Sequence, residues 1–259
     1  PADVPLLGDA LAGIEDLAAE LSDSAASQHA MRGEYTAEVA QRMTTWRMEV
    51  QERLTSNEQP VNMARMCQEL NNTLPEDGIL VADGGFAAHW TGLLCETKTA
   101  GRHYIANRGF ASIGYGLPGS MGAQLAAGER PVVGVTGDGG FNMVIGELET
   151  AGRLQLGLTI LIVNNAASGY VKALQQAQFG GRFQSSDLNE MNYANLAENF
   201  GCQGIRVEDP NDLAGAIRTG MAERDRPTVV DVVVTRDPTK MLPGVDNRTA
   251  PIKKGDRIA

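Results

Sequence analysis

Residues 130–166 read RPVVGVTGDGGFNMVIGELETAGRLQLGLTILIVNNA, and their texture decides the fold. Two apolar runs, 130–137 and 157–163, are continuous rather than alternating. Such runs mark strands buried on both faces of a parallel sheet. Each run ends in a polar turn, Gly137-Asp138-Gly139-Gly140 in the first and Asn164-Asn165 in the second. The stretch between them predicts a helix over 142–154, which returns the chain to the same edge of the sheet. Outward from there, ILVADGG (79–85), GCQGIRV (201–207) and PTVVDVVVT (227–235) read as further strands. Helices are expected from Pro60 through Met63, Met66, Cys67 and Leu70, and over 115–127, 191–200 and 211–223. Strand alternating with helix predicts an α/β fold, a doubly wound parallel sheet flanked by helices, over 60–236.

The flanks differ. Residues 1–22 combine a short apolar piece, VPLLGDA, with the helical LAGIEDLAAEL, and read as the last strand and helix of a domain that begins elsewhere. Residues 23–59 read as a linker helix with Ala40, Met43, Trp46, Val50 and Leu54 at spacings of three and four. The Pro-, Gly- and charge-rich residues 237–259 read as a C-terminal arm. A chain opening on Pro1 is expected to be a fragment or a processed product.

Composition excludes several classes. With 22 basic and 32 acidic side chains, the formal net charge of −10 speaks against a nucleic-acid surface. No apolar run reaches the roughly 20 residues of a membrane span. The three cysteines, Cys67, Cys95 and Cys202, are far apart and suggest neither a disulfide frame nor a zinc site. They read as buried thiols in a reducing, cytoplasmic setting.

In open parallel sheets ligands lie beyond the carboxyl ends of the strands. Three polar loops are expected there: Asp83–Ala87, Gly137–Gly140 and Asn164–Gly169. The GDG and NN turns are 24 residues apart. Asp138 offers a charged oxygen and Asn165 a neutral one, a donor set suited to Mg²⁺ with phosphate oxygens and water completing the octahedron. Gly139 and Gly140 allow close backbone approach at the start of a helix, whose positive end favours anions.

This spacing resembles the signature of thiamine-diphosphate-dependent enzymes. RGFASIGYGLPGSMGAQLA (108–126), PVVGVTGDGGFNMVIGELETA (131–151) and LIVNNAASGYV (161–171) are similar, in order and spacing, to the acetolactate synthase large-subunit branch. The resemblance covers about residues 60–236, the diphosphate-binding domain, and makes 1–22 the tail of a central domain. It implies that Asp138, Asn165 and the Ala167 carbonyl hold Mg²⁺. It implies that Gly137, Gly139, Gly140, Gly169 and Tyr170 meet the diphosphate, with Gly85, Phe86 and Ala87 at its terminal phosphate. Ile113 would wedge the cofactor into a V shape, beside Ser112, and the Ala111 carbonyl would accept from its aminopyrimidine. In that shape the cofactor deprotonates itself, attacks a 2-oxoacid carbonyl and releases CO₂.

Departures from the pattern bear on the reaction. Leu174 stands where the branch carries a Trp, and Tyr170 where it carries Met. Phe86 and Ala87 replace polar residues, so backbone donors must suffice there. Val171 occupies the place of a Glu that protonates the product in simple decarboxylases, which favours joining the carbanion to a second carbonyl. Ile113, Tyr170, Val171 and Leu174 are therefore the expected reaction-pocket residues. The family's catalytic Glu lies in a separate pyrimidine-binding domain. That domain is expected from another chain or another part of the same polypeptide, within a homo- or hetero-oligomer.

Three alternatives stand beside this one. The chain could serve a simple 2-oxoacid decarboxylase or other lyase, or persist as a non-catalytic assembly module. Gly114-Tyr115-Gly116-Leu117-Pro118-Gly119 also satisfies the dinucleotide pattern GxGxxG, but the preceding IANRGFAS is a poor strand. Those glycines are expected to allow close helix packing instead. His89 follows the Gly84-Gly85 loop closely enough to face the site, and Asp83, at the end of its strand, is expected either to cap that loop or to bind ligand.

Overall fold

The computed structural model describes residues 3–22 and 24–241, so residues 242–259 of the expected arm lie outside the described residues. The chain divides into two compact units, Pro1–Gln51 and Glu52–Ala259. The first holds α1 (Ala10–Ser22), α2 (Ala25–Met31) and most of α3 (Gly33–Leu54). The Asp9 carboxylate accepts from the Leu11 and Ala12 amides at 3.0 and 3.1 Å, starting α1. The expected strand in VPLLGDA does not form: the described residues of this unit are otherwise helical, so none of them offers a strand to share its hydrogen bonds.

The second unit is built on six parallel strands: β1 (Ile79–Ala82), β2 (Tyr104–Ala106), β3 (Val132–Gly137), β4 (Thr159–Asn164), β5 (Gln203–Val207) and β6 (Thr228–Val233). Their order is β2-β1-β3-β4-β6-β5. Every pairing is parallel, with Val81 opposite Gly134 and Val135 opposite Leu161. On β4, Ile160 and Ile162 face one side while Leu161 and Val163 face the other, and all four are buried. One layer of the core gathers Leu117, Phe141, Leu148, Ile160, Ile162, Tyr193 and Val229. Ile79, Val81, Ala123 and Val132 form a second cluster.

The flanking helices are α4 (Met63–Thr73), α5 (Phe86–Leu94), α6 (Gly116–Ala127), α7 (Asp138–Asn142), α8 (Glu147–Arg153), α9 (Gly169–Phe179), α10 (Tyr193–Asn199) and α11 (Leu213–Ala222). The single helix expected over 142–154 is instead two. Between them the chain runs in tight three-residue turns, Val144 N to Phe141 O at 3.0 Å and Glu147 N to Val144 O at 2.9 Å. Gly139, Gly140 and Gly146 lower the helix propensity of this stretch. Neither α5 nor α9 carries a helix-start signal, since Gly85 precedes one, Gly169 opens the other, and neither has a capping side chain. The edge strand β2 also escapes the sequence pattern, being three half-buried residues long.

The chain passes from β1 to β2 on one side of the sheet, then returns to place β3 on the other side of β1. The crevice between the carboxyl ends of β1 and β3 is thus the topological switch point, where open α/β sheets take their ligands.

Candidate functional site

A cleft of about 150 Å³ opens at this switch point. It collects loops from three strand ends. From β1 come Asp83, Gly84, Gly85 and Phe86; from β3, Gly137–Gly140; from β4, Asn165 and Ala167–Val171, with Ile113 and Met143 on its walls. Of the residues anticipated from sequence, Gly85, Phe86, Ile113, Gly137, Asp138, Gly139, Gly140, Asn165, Ala167, Gly169, Tyr170 and Val171 line it. Ala87 does not; it is fully buried in the first turn of α5. Leu174 is half-buried on α9, one turn beyond Tyr170, and also lies outside the lining. Ala111 and Ser112 stand behind Ile113, where the Ser112 carbonyl accepts from the Asn107 amide at 2.6 Å.

Asp138 is only 3% exposed. Its carboxylate accepts from the Gly139 amide at 2.7 Å. The backbone amides of Ala166, Ala167 and Asn165 lie near enough to pull on its charge, so the GDG and NN loops converge around one carboxylate. Burial pushes Asp138 up to about 6, against the opposing pull of those four N–H groups. The Asn165 side-chain oxygen accepts from Ala167 N at 3.1 Å, folding the second loop into an Asx turn. Ala166 takes a left-handed conformation, φ +49°, inside this turn. Such strain in a non-glycine residue tends to collect at functional sites.

The glycines here are required by contact. A Cβ on Gly169 would stand 2.6 Å from the Asn165 amide nitrogen and 3.1 Å from the Phe86 ring. A Cβ on Gly140 would meet Asp83 Oδ2 at 2.5 Å and Ile113 Cγ2 at 3.1 Å. Gly84 likewise lets the Ala111 carbonyl approach, with only 2.4 Å to where a Cβ would lie.

The contacts of Asp83 are those of a brace. Its carboxylate accepts from Gly84 N at 2.7 Å, Gly114 N at 3.0 Å, Tyr115 N at 2.9 Å and Thr136 Oγ1 at 2.6 Å. That ties the Ile113 loop to the ends of β1 and β3. Ile113 itself is 56% exposed, an isoleucine held out over the cleft. Met143 and Ser168 also line the cleft and carried no sequence signal, since their neighbours in space come from other loops. His89 sits outside the lining but packs its ring against Tyr170, centroids 4.7 Å apart.

Two helices direct uncapped amino ends at the same place. Gly85 and Ser168, the residues preceding α5 and α9, make no side-chain cap. The first N–H groups of each helix are therefore available to an anion. Among the described residues no group of three His, Cys, Asp or Glu side chains could hold a metal. The donors that do gather are one carboxylate, one amide oxygen and one main-chain carbonyl, with open space at Gly137 and ordinary contact at Gly139. This set suits a hard divalent cation that keeps phosphate and water ligands. A magnesium diphosphate fits the residues present.

The dinucleotide alternative finds no matching geometry. Nine residues separate the end of β2 from α6, not a tight strand-to-helix turn. Gly116 instead lets α6 press on the sheet, where a Cβ would meet Thr136 Cβ at 2.8 Å.

Residues 83–232 match the family model described as "Thiamine pyrophosphate enzyme, C-terminal TPP binding domain". The chain is 32% identical over 202 residues to the Bacillus subtilis protein YdaP, provisionally named as thiamine pyrophosphate-containing; this covers 78% of the chain and 34% of YdaP. It is 32% identical over 168 residues to an acetolactate synthase large subunit of Porphyra purpurea, covering 64% and 28%. To the large subunit of acetolactate synthase isozyme 3 of Escherichia coli it is 28% identical over 236 residues, covering 90% and 40%. The chain thus spans between about a quarter and two fifths of the length of these curated relatives.

Proposed function

Since the chain belongs to the thiamine pyrophosphate enzymes, by way of their C-terminal cofactor-binding domain, we propose that it anchors thiamine diphosphate through Mg²⁺ in a 2-oxoacid decarboxylase that goes on to join carbon–carbon bonds. The observation that supports this most directly is the meeting of two strand-end loops on the Asp138 carboxylate at the switch point. Asp138, the Asn165 side-chain oxygen and the Ala167 carbonyl are the metal ligands. Gly139, Gly140, Gly169 and Tyr170 offer backbone N–H groups to the diphosphate, and the amino ends of α5 and α9 supply positive potential around Gly85 and Phe86. Ile113, whose loop Asp83 braces through Gly114 and Tyr115, would lie against the cofactor and exclude water there. Bound in this way, thiamine diphosphate supplies the electron sink for decarboxylation.

Tyr170 and Val171 form the rim, with Leu174 one turn behind. Val171 has no proton to give, so this rim favours a second carbonyl compound as acceptor over simple protonation. A pyrimidine-binding domain, in another chain or elsewhere in the same polypeptide, completes the site within a cytoplasmic oligomer. The test supplies pyruvate, thiamine diphosphate and Mg²⁺ to the assembly that contains this domain and a pyrimidine-binding domain. Release of CO₂ together with an acetolactate-type product is expected. Acetaldehyde alone would place the protein among simple decarboxylases. Cofactor binding without either product would make it an assembly module.

The buried Asp138 carries a pH dependence. A protonated carboxyl is a poor metal ligand, so Mg²⁺ affinity is expected to be flat above about pH 7 and to fall about tenfold per pH unit below 6. In the metal-free protein the same raised value acts in the opposite sense. Ionising a group moved from 3.8 to about 6 costs roughly 3 kcal/mol of folding stability, lost as pH rises from about 4 to 6. Titrations of Mg²⁺ at pH 5 and 7 check this; equal affinities at the two values would show that no proton competes for the site.

A further inference from the structure

Cys67 and Cys95 are 28 positions apart in sequence but meet in the fold. Cys67 is fully buried on α4, and Cys95 is the residue that ends α5. One turn beyond Cys67 on the same face of α4, the Asn71 side chain grips the chain on both sides of Cys95. It donates to the Leu94 carbonyl at 2.8 Å and accepts from the Glu96 amide at 2.8 Å. The Cys95 sulfur lies close enough to act on the Cys67 thiol. Cys95 is half-buried and opens on a crevice at the amino ends of β1 and β2, walled by Leu74, Lys98, His103 and Tyr104. This is the opposite edge of the sheet from the cleft, and neither sulfur takes part in the proposed cofactor site.

We propose that Cys67 and Cys95 form a reversible disulfide that staples α4 to the carboxyl end of α5 when a peroxide reaches the crevice. Cys95 meets the oxidant first: its sulfur takes one oxygen from hydrogen peroxide to give a sulfenic acid, and one water leaves. The Cys67 sulfur then attacks the Cys95 sulfur. The S–O bond breaks, and its oxygen departs with the Cys67 proton as a second water. In all, the thiols lose two hydrogens and the peroxide gains two electrons. Its neighbour Cys95 and burial together hold the Cys67 thiol well above its ordinary pKa, so Cys67 is the resolving thiol and not the first to react. Asn71 already ties α4 to the chain on both sides of Cys95 and so keeps the two segments together. The sequence gives no hint of this pair, because the spacing matches no cysteine motif.

The test treats the purified protein with hydrogen peroxide, alkylates the remaining thiols and maps peptides without reductant. A peptide linked through Cys67 and Cys95 is expected, with Cys202 alkylated, and dithiothreitol should restore both thiols. The oxidised protein should unfold about 5–10 °C higher than the reduced form, as a bond closing residues 67–95 restricts the unfolded chain. Cys95→Ser, a change at the more exposed position, should abolish both the linked peptide and the shift. Recovery of Cys95 as sulfinic acid with Cys67 still alkylated would overturn the proposal, and so would Cys95 linked to a second copy of the chain.

Discussion

Asp138→Ala is expected to weaken thiamine diphosphate binding in the presence of Mg²⁺ by about a hundredfold, close to 3 kcal/mol. Asp138 is the one anionic ligand in the proposed set; Asn165 and the Ala167 carbonyl are neutral. Without it, two neutral oxygens must hold a strongly hydrated dication that gives up water reluctantly. The fold should persist. The carboxylate is ionised at pH 7 against the cost of its burial, so its removal relieves that cost while depriving the Gly139 amide of its acceptor and the Asn165, Ala166 and Ala167 amides of a nearby negative charge. Those amides border the open cleft, where water can replace the lost oxygen. Calorimetric titration with and without Mg²⁺ separates the effects. Asp138→Asn, which keeps the shape and loses the charge, should fall between alanine and the parent. Unchanged affinity in the alanine variant, or binding indifferent to Mg²⁺ in the parent, would remove the basis for the proposed anchoring.

Which parts of this molecule were legible in the sequence depends on how local their causes are. β1, β3, β4 and β6 announce themselves, because burial on both faces demands unbroken apolar runs. β2 does not, because a three-residue edge strand needs no such run. The loops at the strand ends were legible through Gly, Asp and Asn, which those turns require. The brace at Asp83 was not, since its partners Gly114, Tyr115 and Thr136 lie 31 to 53 positions away. Leu174 and Ala87 fall just outside the cleft lining. Correspondence of position brings them into the expected site; Ala87 is buried in the first turn of α5 and Leu174 is half-buried on α9.

The same non-local logic makes Asp231 the residue whose loss should cost the fold most. It lies in the middle of β6 with no exposure at all, in a run that reads as plain core. Its carboxylate accepts from Asn164 Nδ2 at 2.9 Å, Tyr193 N at 3.0 Å and Arg206 Nη1 at 2.8 Å. Burial raises its pKa, opposed by Asn164, Arg206 and Tyr193. Asn164 is the first residue of the NN turn. The Tyr193 hydroxyl, pushed up to about 12 by burial and by Asp138, stays protonated and donates to Asn142 at 3.0 Å, on the helix that follows GDG. One carboxylate therefore ties both site loops together from beneath. Asp231→Ala leaves the Tyr193 N–H and one arm of the Arg206 guanidinium without their carboxylate, and the Asn164 amide with only the Met191 carbonyl, at 2.8 Å. Removing one partner of a buried ion pair costs about 3–5 kcal/mol. Arg206 keeps Glu208 at 2.7 Å and Glu190 at 3.3 Å, both exposed partners, which places the expected loss near the lower end, about 3 kcal/mol. Asp231→Asn retains an acceptor oxygen and should lose less. Denaturant midpoints at constant m-value measure both. A loss under about 1 kcal/mol in the alanine variant would mean that water or a shifted Arg206 replaces the carboxylate, and that the two loops hold their places without it.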